Sequence, residues 1–372
     1  MLIGVPKEVK NFEYRVGLVP GSVRELTVRG HRVLIQKGAG ERIGFDDLAY
    51  QQVGAEIIET PAEIFERADM IVKVKEPQPN ECAMLRKEQI LFTYLHLAPD
   101  PEQAKLLQQS NCIAIAYETV TDPSGGLPLL APMSEVAGRM SIQAGANSLE
   151  IKNGGRGILL GGVPGVAPAK VVVLGGGVVG TNAVRMAMGM GAQVVVIDKS
   201  IARLYQLDLQ FGSKLTTIFS TTDSIEEHVL TADLVIGAVL IPGASAPKLL
   251  TRKMLSGMRN GAVVVDVSID QGGCFETSHA TTHTDPTYVI DGVVHYCVAN
   301  MPGGVPRTST FALNNATLPF VIALANLGFE EAMRRDTHLR NGLNICRGRI
   351  TYQAVAEALN EPYTPAAEMI GG

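Results

Sequence analysis

The chain has 372 residues, of which 46% are hydrophobic and 19% charged, and its formal net charge at pH 7 is −5. These are the proportions of a soluble globular protein, with length for two domains of roughly 100–200 residues each. The acidic balance and the lack of a basic cluster exclude nucleic acid as an expected partner, and without about 18 consecutive apolar residues no membrane span is expected.

In chain order, the first 130 residues alternate apolar runs with helix-like segments. Strands are predicted at Leu2–Val5, Arg32–Gln36, Glu56–Ile58, 70–75, 90–95 and 113–117, and a helix at 22–29 with Ser22 as N-cap. The opening LIGV is strand-like at once, so no signal peptide is expected. Such alternation predicts a parallel sheet covered by helices. This segment contains no GxGxxG, so it is α/β without a nucleotide fingerprint. Residues 134–152 predict a long linking helix, capped by Ser134 with Glu135 in its first turn, and GGRGILLGGVPGVAPAK after it reads as a linker.

Residues 170–198, KVVVLGGGVVGTNAVRMAMGMGAQVVVID, carry the most specific local signal. An apolar run leads into Gly175-x-Gly177-x-x-Gly180, a helical stretch follows, and a second apolar run ends in Asp198. That order is the fingerprint of a βαβ unit that binds a dinucleotide. Gly175 permits the tight turn, Gly177 lets the backbone approach the pyrophosphate, and Gly180 lets the helix pack on the strand. The helix N-terminus offers unpaired N–H groups and the positive end of its dipole to the phosphates. Asp198 can accept hydrogen bonds from both ribose hydroxyls and would repel a 2′-phosphate, which favours NAD over NADP, while Arg203 nearby weighs the other way.

The nucleotide fold continues through predicted strands Leu215–Phe219, 233–239 and 262–267, with one or two more in 288–298. After Pro306 the pattern turns helical, and PFVIALANLGFEEAMRR is amphipathic. A helix that returns after a complete nucleotide domain packs most simply on the first domain. The expected fold class is therefore α/β in two domains. A Rossmann NAD-binding domain (131–306, with the linking helix 134–152) is inserted into a discontinuous Rossmann-like α/β substrate domain (1–130 and 307–372), and the cleft between them is the expected place for the chemistry.

Ligands of open α/β sheets bind beyond the carboxyl ends of the strands. In the first domain those positions hold Arg15, in NFEYRVGLVP, Lys75, closing IVKVKEP, and His96, after LFTYL. Arginine offers a planar fork that fits a carboxylate, lysine a point charge for a carbonyl or carboxylate oxygen, and histidine a proton near neutral pH. Together they suit a small acid with an adjacent carbonyl or amine. Singly, Lys75 reads equally as a solvated charge, His96 as a hydrogen-bonded core histidine and Arg15 as a surface residue. Their shared placement raises all three.

In the second domain, Val239 and Leu240 offer apolar support for a flat ring. Asp270 can face the cleft, with Asp266 as a structural carboxylate inside the strand end, and Val298, Asn300 and Met301 form a further strand-end loop. His279 and His283 are four apart, in a segment that does not read as helix and has no third ligand nearby, so no metal is expected. The five scattered cysteines, with no CxxC pair, read as free thiols of a reducing cytosol.

The segments MLIGVPKEVKNFEYRVGLVP, MIVKVKEP, LFTYLHLA, AIAYETV, GGVPGVAPAKVVVLGGGVVG, VDVSIDQGGCFET and VVHYCVANMPGGVPRTST closely resemble those of the L-alanine dehydrogenases, within the alanine dehydrogenase/transhydrogenase alpha-subunit family. The resemblance covers nearly the whole chain. It implies a cytoplasmic homohexamer that interconverts L-alanine with pyruvate and ammonia using NAD. It implies that Arg15 and Lys75 bind the substrate and that His96 and Asp270 are the catalytic pair. Ser134, Val178, Asp198, Arg203, Ser220, Val239, Leu240, Ile269, Val298 and Asn300 are its implied cofactor neighbours. The alternative is the NAD-binding subunit of proton-translocating transhydrogenase, which hands hydride to a second nucleotide. His96 favours the dehydrogenase, because hydride exchange needs no proton relay at that strand end. A catalytically dead NAD-sensing protein is disfavoured by the intact Arg15, Lys75, His96 and Asp270. The tail after about residue 340 is the poorest match and carries no implied function.

Overall fold

The computed structural model describes residues 1–239 and 246–371, and divides the chain into two units. One comprises Met1–Met133 and the chain from Val305 onward, the other Ser134–Gly304.

The first unit is built on an eight-stranded sheet. Its strands are β1 (Leu2–Val5), β2 (Arg32–Gln36), β3 (Glu56–Ile58), β4 (Met70–Val72), β5 (Ile90–Thr93), β6 (Ile113–Ala116), β14 (Leu343–Cys346) and β15 (Arg349–Ile350), with β7 to β13 falling in the other unit. The order is β15-β14-β6-β5-β4-β1-β2-β3. The first six strands pair in parallel, while β14 and β15 are antiparallel additions. Every residue of β4, β5 and β6 is buried. Burial on both faces is why these strands read as unbroken apolar runs rather than alternating ones.

Two expectations are corrected in this unit. The strands expected at 70–75 and 90–95 stop at Val72 and Thr93, which puts Lys75 and His96 in loops beyond the sheet. The first helix is Pro20–Thr27, opened by Pro20, whose fixed φ and missing N–H suit a first helical position. Ser22 is therefore no cap; it is buried and donates its hydroxyl to Asn314. The tail after 340 supplies two sheet strands, joined at Arg347-Gly348, where φ is 49° and 80°. Two positive φ values are what a two-residue hairpin turn demands.

The helix Pro306–Arg335 is broken at Gly328, whose φ of 74° is not helical. Its buried Asn314 accepts the N–H of Val19 at 3.1 Å and donates to the carbonyl of Gly17, so it braces the loop that carries Arg15.

The second unit contains β7 (Lys170–Leu174), β8 (Gln193–Asp198), β9 (Leu215–Phe219), β10 (Leu234–Gly237), β11 (Val263–Asp266), β12 (Thr287–Ile290) and β13 (Val293–Tyr296), in the order β12-β13-β11-β10-β7-β8-β9. All pairings are parallel except that of β12 with β13. Successive residues feed opposite cores: Val171 and Val173 lie in one apolar cluster, Val172 and Leu174 in the other. β7 is flanked by β8 on one side and β10 on the other, so the strand order reverses beside it. That reversal is the topological switch point at which such sheets bind ligands.

The linking helix spans Ala131–Ser148 rather than 134–152. Pro132 suits a first turn, so the helix starts early and Ser134 lies within it rather than capping it. Residues Ile151–Asn153 form a separate short turn ended by Gly154 at φ 84°.

Candidate active site

In the first unit β6, β5, β4 and β1 are successive neighbours, and Glu118, His96, Lys75 and Arg15 lie in the loops beyond their carboxyl ends. Arg15 is 3% exposed. Its Nε donates to Glu13 Oε1 at 2.7 Å and its Nη2 to Glu13 Oε2 at 2.6 Å, while Nη1 lies 3.0 Å from the Met133 sulfur. Burial opposes the charge on Arg15, but the Glu13 contacts outweigh it and hold the pKa above the ordinary guanidinium value. The simple reading of Arg15 as a fork open to a ligand is thus corrected, since one edge is committed to Glu13.

Two lysines follow β4 with opposite fates. Lys73 is fully buried between Glu8 Oε2 at 3.1 Å and Glu81 Oε1 at 2.7 Å. Glu8 Oε1 also accepts the N–H groups of Val74 at 2.7 Å and Lys75 at 3.3 Å. Residues two apart share a face of a regular strand, but β4 ends at Val72 and the chain bends at residues 74 and 75, so Lys75 does not join Lys73 in that site; its Nζ lies 3.9 Å from Glu76 Oε2 and its side chain is 19% exposed. Burial would raise the Glu76 carboxyl, yet Lys75 and Lys10 together pull its pKa below the ordinary range.

His96 is no core histidine, since its side chain is 47% exposed. Its N–H donates to Glu118 Oε1 at 2.6 Å, and its ring stacks on that of Tyr94 with centroids 5.8 Å apart and planes 9° apart. Tyr94 is buried, donates its hydroxyl to the Leu129 carbonyl at 2.5 Å, and has its phenol pKa pushed well up by burial. Sequence reasoning missed Glu13, Tyr94 and Glu118. The strand-end rule could have found Glu118, which follows the apolar run IAIAY.

In the second unit the cofactor candidates occupy carboxyl ends of successive strands. After β7, Gly175 has φ 101°, and a Cβ there would lie 2.7 Å from the Ala238 carbonyl. A Cβ on Gly180 would lie 1.8 Å from the Gly175 carbonyl, whereas one on Gly177 would meet nothing within 4 Å. The turn is therefore closed where helix meets strand and open where a phosphate would approach. The helix Val178–Gly189 starts immediately after Gly177, with Val178 exposed. Asp198, ending β8, accepts the N–H of Gly176 on Oδ2 at 2.6 Å and that of Ser200 on Oδ1 at 2.8 Å. Arg203 clasps the same turn, from Nε to the Gly176 carbonyl and from Nη2 to Thr181 Oγ1, each at 2.6 Å. Val178 and Arg203 line one open groove with Arg139, Thr181, Asn182 and Arg185.

Ser220, just past β9, donates its N–H to the Asp198 carbonyl at 3.0 Å, and the Val239 carbonyl past β10 accepts from Ser268 Oγ at 2.7 Å. Leu240 lies outside the described residues. Asp270 is exposed, and its Oδ1 accepts the N–H of Asn300, at φ 57°, at 3.3 Å. Asp266 is buried and accepts the N–H groups of Ser268, Cys274 and Phe275, so it holds its loop. Ile269, Val298 and Met301 have buried side chains. His279 stacks on Tyr288 and His283 bonds to the Asn300 carbonyl at 3.1 Å.

A doubly wound sheet with this glycine turn, in one chain with an α/β unit that gathers Arg15, Lys75 and His96, defines a two-unit dehydrogenase-type protein for a nicotinamide dinucleotide. The chain belongs to the alanine dehydrogenase/PNT family: residues 4–137 match its N-terminal domain and residues 141–353 its C-terminal domain. It is 60% identical to the alanine dehydrogenase of Halomonas elongata over 371 residues, covering 100% of both chains, and 54% identical to that of Bacillus subtilis, covering 100% of this chain and 98% of the other. A solved structure of an L-alanine dehydrogenase matches with a TM-score of 0.94 at 53% identity, covering 97% of this chain and 99% of that one. The transhydrogenase of Sinorhizobium meliloti shares the fold, with a TM-score of 0.81 at 24% identity over 95% of this chain and 100% of the other.

Proposed function

We propose that this chain catalyses the reversible NAD-dependent oxidative deamination of L-alanine: L-alanine, NAD⁺ and water give pyruvate, ammonium, NADH and a proton. The observation that carries the reading is the row of neighbouring strand ends that bears Arg15, Lys75 and a half-exposed His96.

Arg15 binds the substrate carboxylate through the guanidinium edge away from Glu13, and Lys75 binds the carboxylate or carbonyl oxygen. His96 moves the proton when water adds to the imine and ammonia leaves, a role typically worth about 10²–10⁴ in rate. Asp270 stabilises the cationic imine. NAD, when bound, supplies the acceptor for the hydride from the alanine α-carbon. It is held by the Gly175–Gly180 turn with Val178, by Asp198 on the adenosine ribose, and by Arg203. Ser134, Ser220, Val239, Leu240, Ile269, Val298, Asn300 and Met301 are further neighbours. The Asp198 carboxylate favours NAD over NADP. Partners are small molecules and other copies of the chain in a homohexamer, and the compartment is the cytoplasm.

The reverse direction tests this directly. Pyruvate, ammonium and NADH supplied to the purified chain are expected to give L-alanine, one per NADH consumed. NADH consumption without alanine would overturn the reading.

A further inference from the structure

We infer that Glu118 is the positioning residue of His96. His96 has φ 50°, in the left-handed region that residues with a side chain seldom occupy. Such a conformation persists only where its surroundings hold it. The Glu118 carboxylate supplies that hold: Oε1 accepts the His96 N–H at 2.6 Å, and both oxygens lie 3.2 Å from the Leu95 nitrogen as acceptors. Two successive N–H groups converging on one anion form the cradle that backbone uses to bind anions, here filled from within the chain. Glu118 follows β6, the parallel neighbour of β5, so two adjacent strand ends are fastened to each other at His96. Oε1 also lies 3.9 Å from His96 Nδ1, and the Tyr94 ring lies parallel to the imidazole, its own hydroxyl tied to Leu129. The imidazole is thereby aimed with Nδ1 toward Glu118, which directs Nε2 to the substrate.

The inference rests on His96 being the proton-transfer group, and a mutant cycle separates the two claims. In E118L the acceptor is gone, and in E118D the carboxylate falls one methylene short. Both are expected to lose about tenfold or more in kcat with little change in pyruvate KM or NADH affinity, because a displacement of about 1 Å can cost up to about 10²-fold. E118Q keeps an oxygen for the same N–H groups and recovers most of the loss. In a H96A background, E118L costs nothing further, since a residue that acts through His96 has nothing left to act on. If E118L does not fold, E118D carries the same comparisons. Wild-type kcat in the folded Glu118 variants would overturn the inference, as would a further large loss in the double variant. Normal turnover in H96A alone would overturn the role of His96 as well.

Discussion

Glu13 and Arg15, two residues apart in the loop after β1, form a paired fork. Nε–Oε1 is 2.7 Å and Nη2–Oε2 is 2.6 Å, with side-chain exposures of 2% for Arg15 and 0% for Glu13. The pair fixes the direction of the guanidinium before any ligand arrives. Removing Glu13 takes the two-point carboxylate partner from a buried guanidinium, so E13A is expected to destabilise the protein by up to about 3–5 kcal/mol. R15K keeps the charge but loses the fork. It is expected to raise the pyruvate KM while NADH affinity without substrate stays near wild type. Thermal melts and NADH titrations check both, and a large loss of NADH binding in R15K would contradict this assignment.

Asp198 has two tasks, since it secures the Gly176 N–H and is proposed to meet the ribose. D198A removes charge-assisted hydrogen bonds worth roughly 1.5–3 kcal/mol each. The expected result is a fall of at least about tenfold in kcat/KM for NAD, with NADP use improved relative to NAD. An unchanged NAD/NADP ratio would remove Asp198 from cofactor selection.

The His96 side chain is half exposed, and H96A keeps the backbone N–H that bonds to Glu118. H96A is expected to leave the melting temperature and NADH affinity near wild type while turnover falls by about 10² or more. Lost stability with near-normal turnover would make His96 structural.

His295 gives the fold a pH dependence. Its ring is buried, with Nδ1 3.0 Å from the Val293 carbonyl and Nε2 2.8 Å from Thr277 Oγ1, and burial pulls its pKa below the ordinary histidine value. The unfolded chain then binds the proton more readily than the folded one, so stability is lost as pH falls from about 6.5 toward the depressed folded value. In H295N that contribution vanishes, and the fall in melting temperature between pH 7 and pH 5 is expected to be shallower. Equal slopes in the two proteins would contradict it.

Most of the fold is legible in the sequence because β4, β5, β6, β7 and β8 are short, dense apolar runs, and the turn after β7 has no room for a side chain at Gly175 and Gly180. The hairpin β14–β15 was not, since a strand of four residues and one of two, with an arginine in the turn, leave too little periodicity to read. In the site, the strand-end rule picked out Arg15, Lys75, His96 and Asp270. It could not show that Glu13 occupies one edge of Arg15 or that Lys73 rather than Lys75 is buried. Those outcomes depend on where β4 ends and the chain bends, and on carboxylates distant in sequence, such as Glu8 and Glu81.

The most direct test of the proposed chemistry is NADH formation from L-alanine with NAD as the only nucleotide present. Steady NADH production with pyruvate and ammonium in equal amounts is the predicted result, together with its loss in H96A. No NADH from alanine, with hydride passing instead only between two supplied nucleotides, would contradict the account.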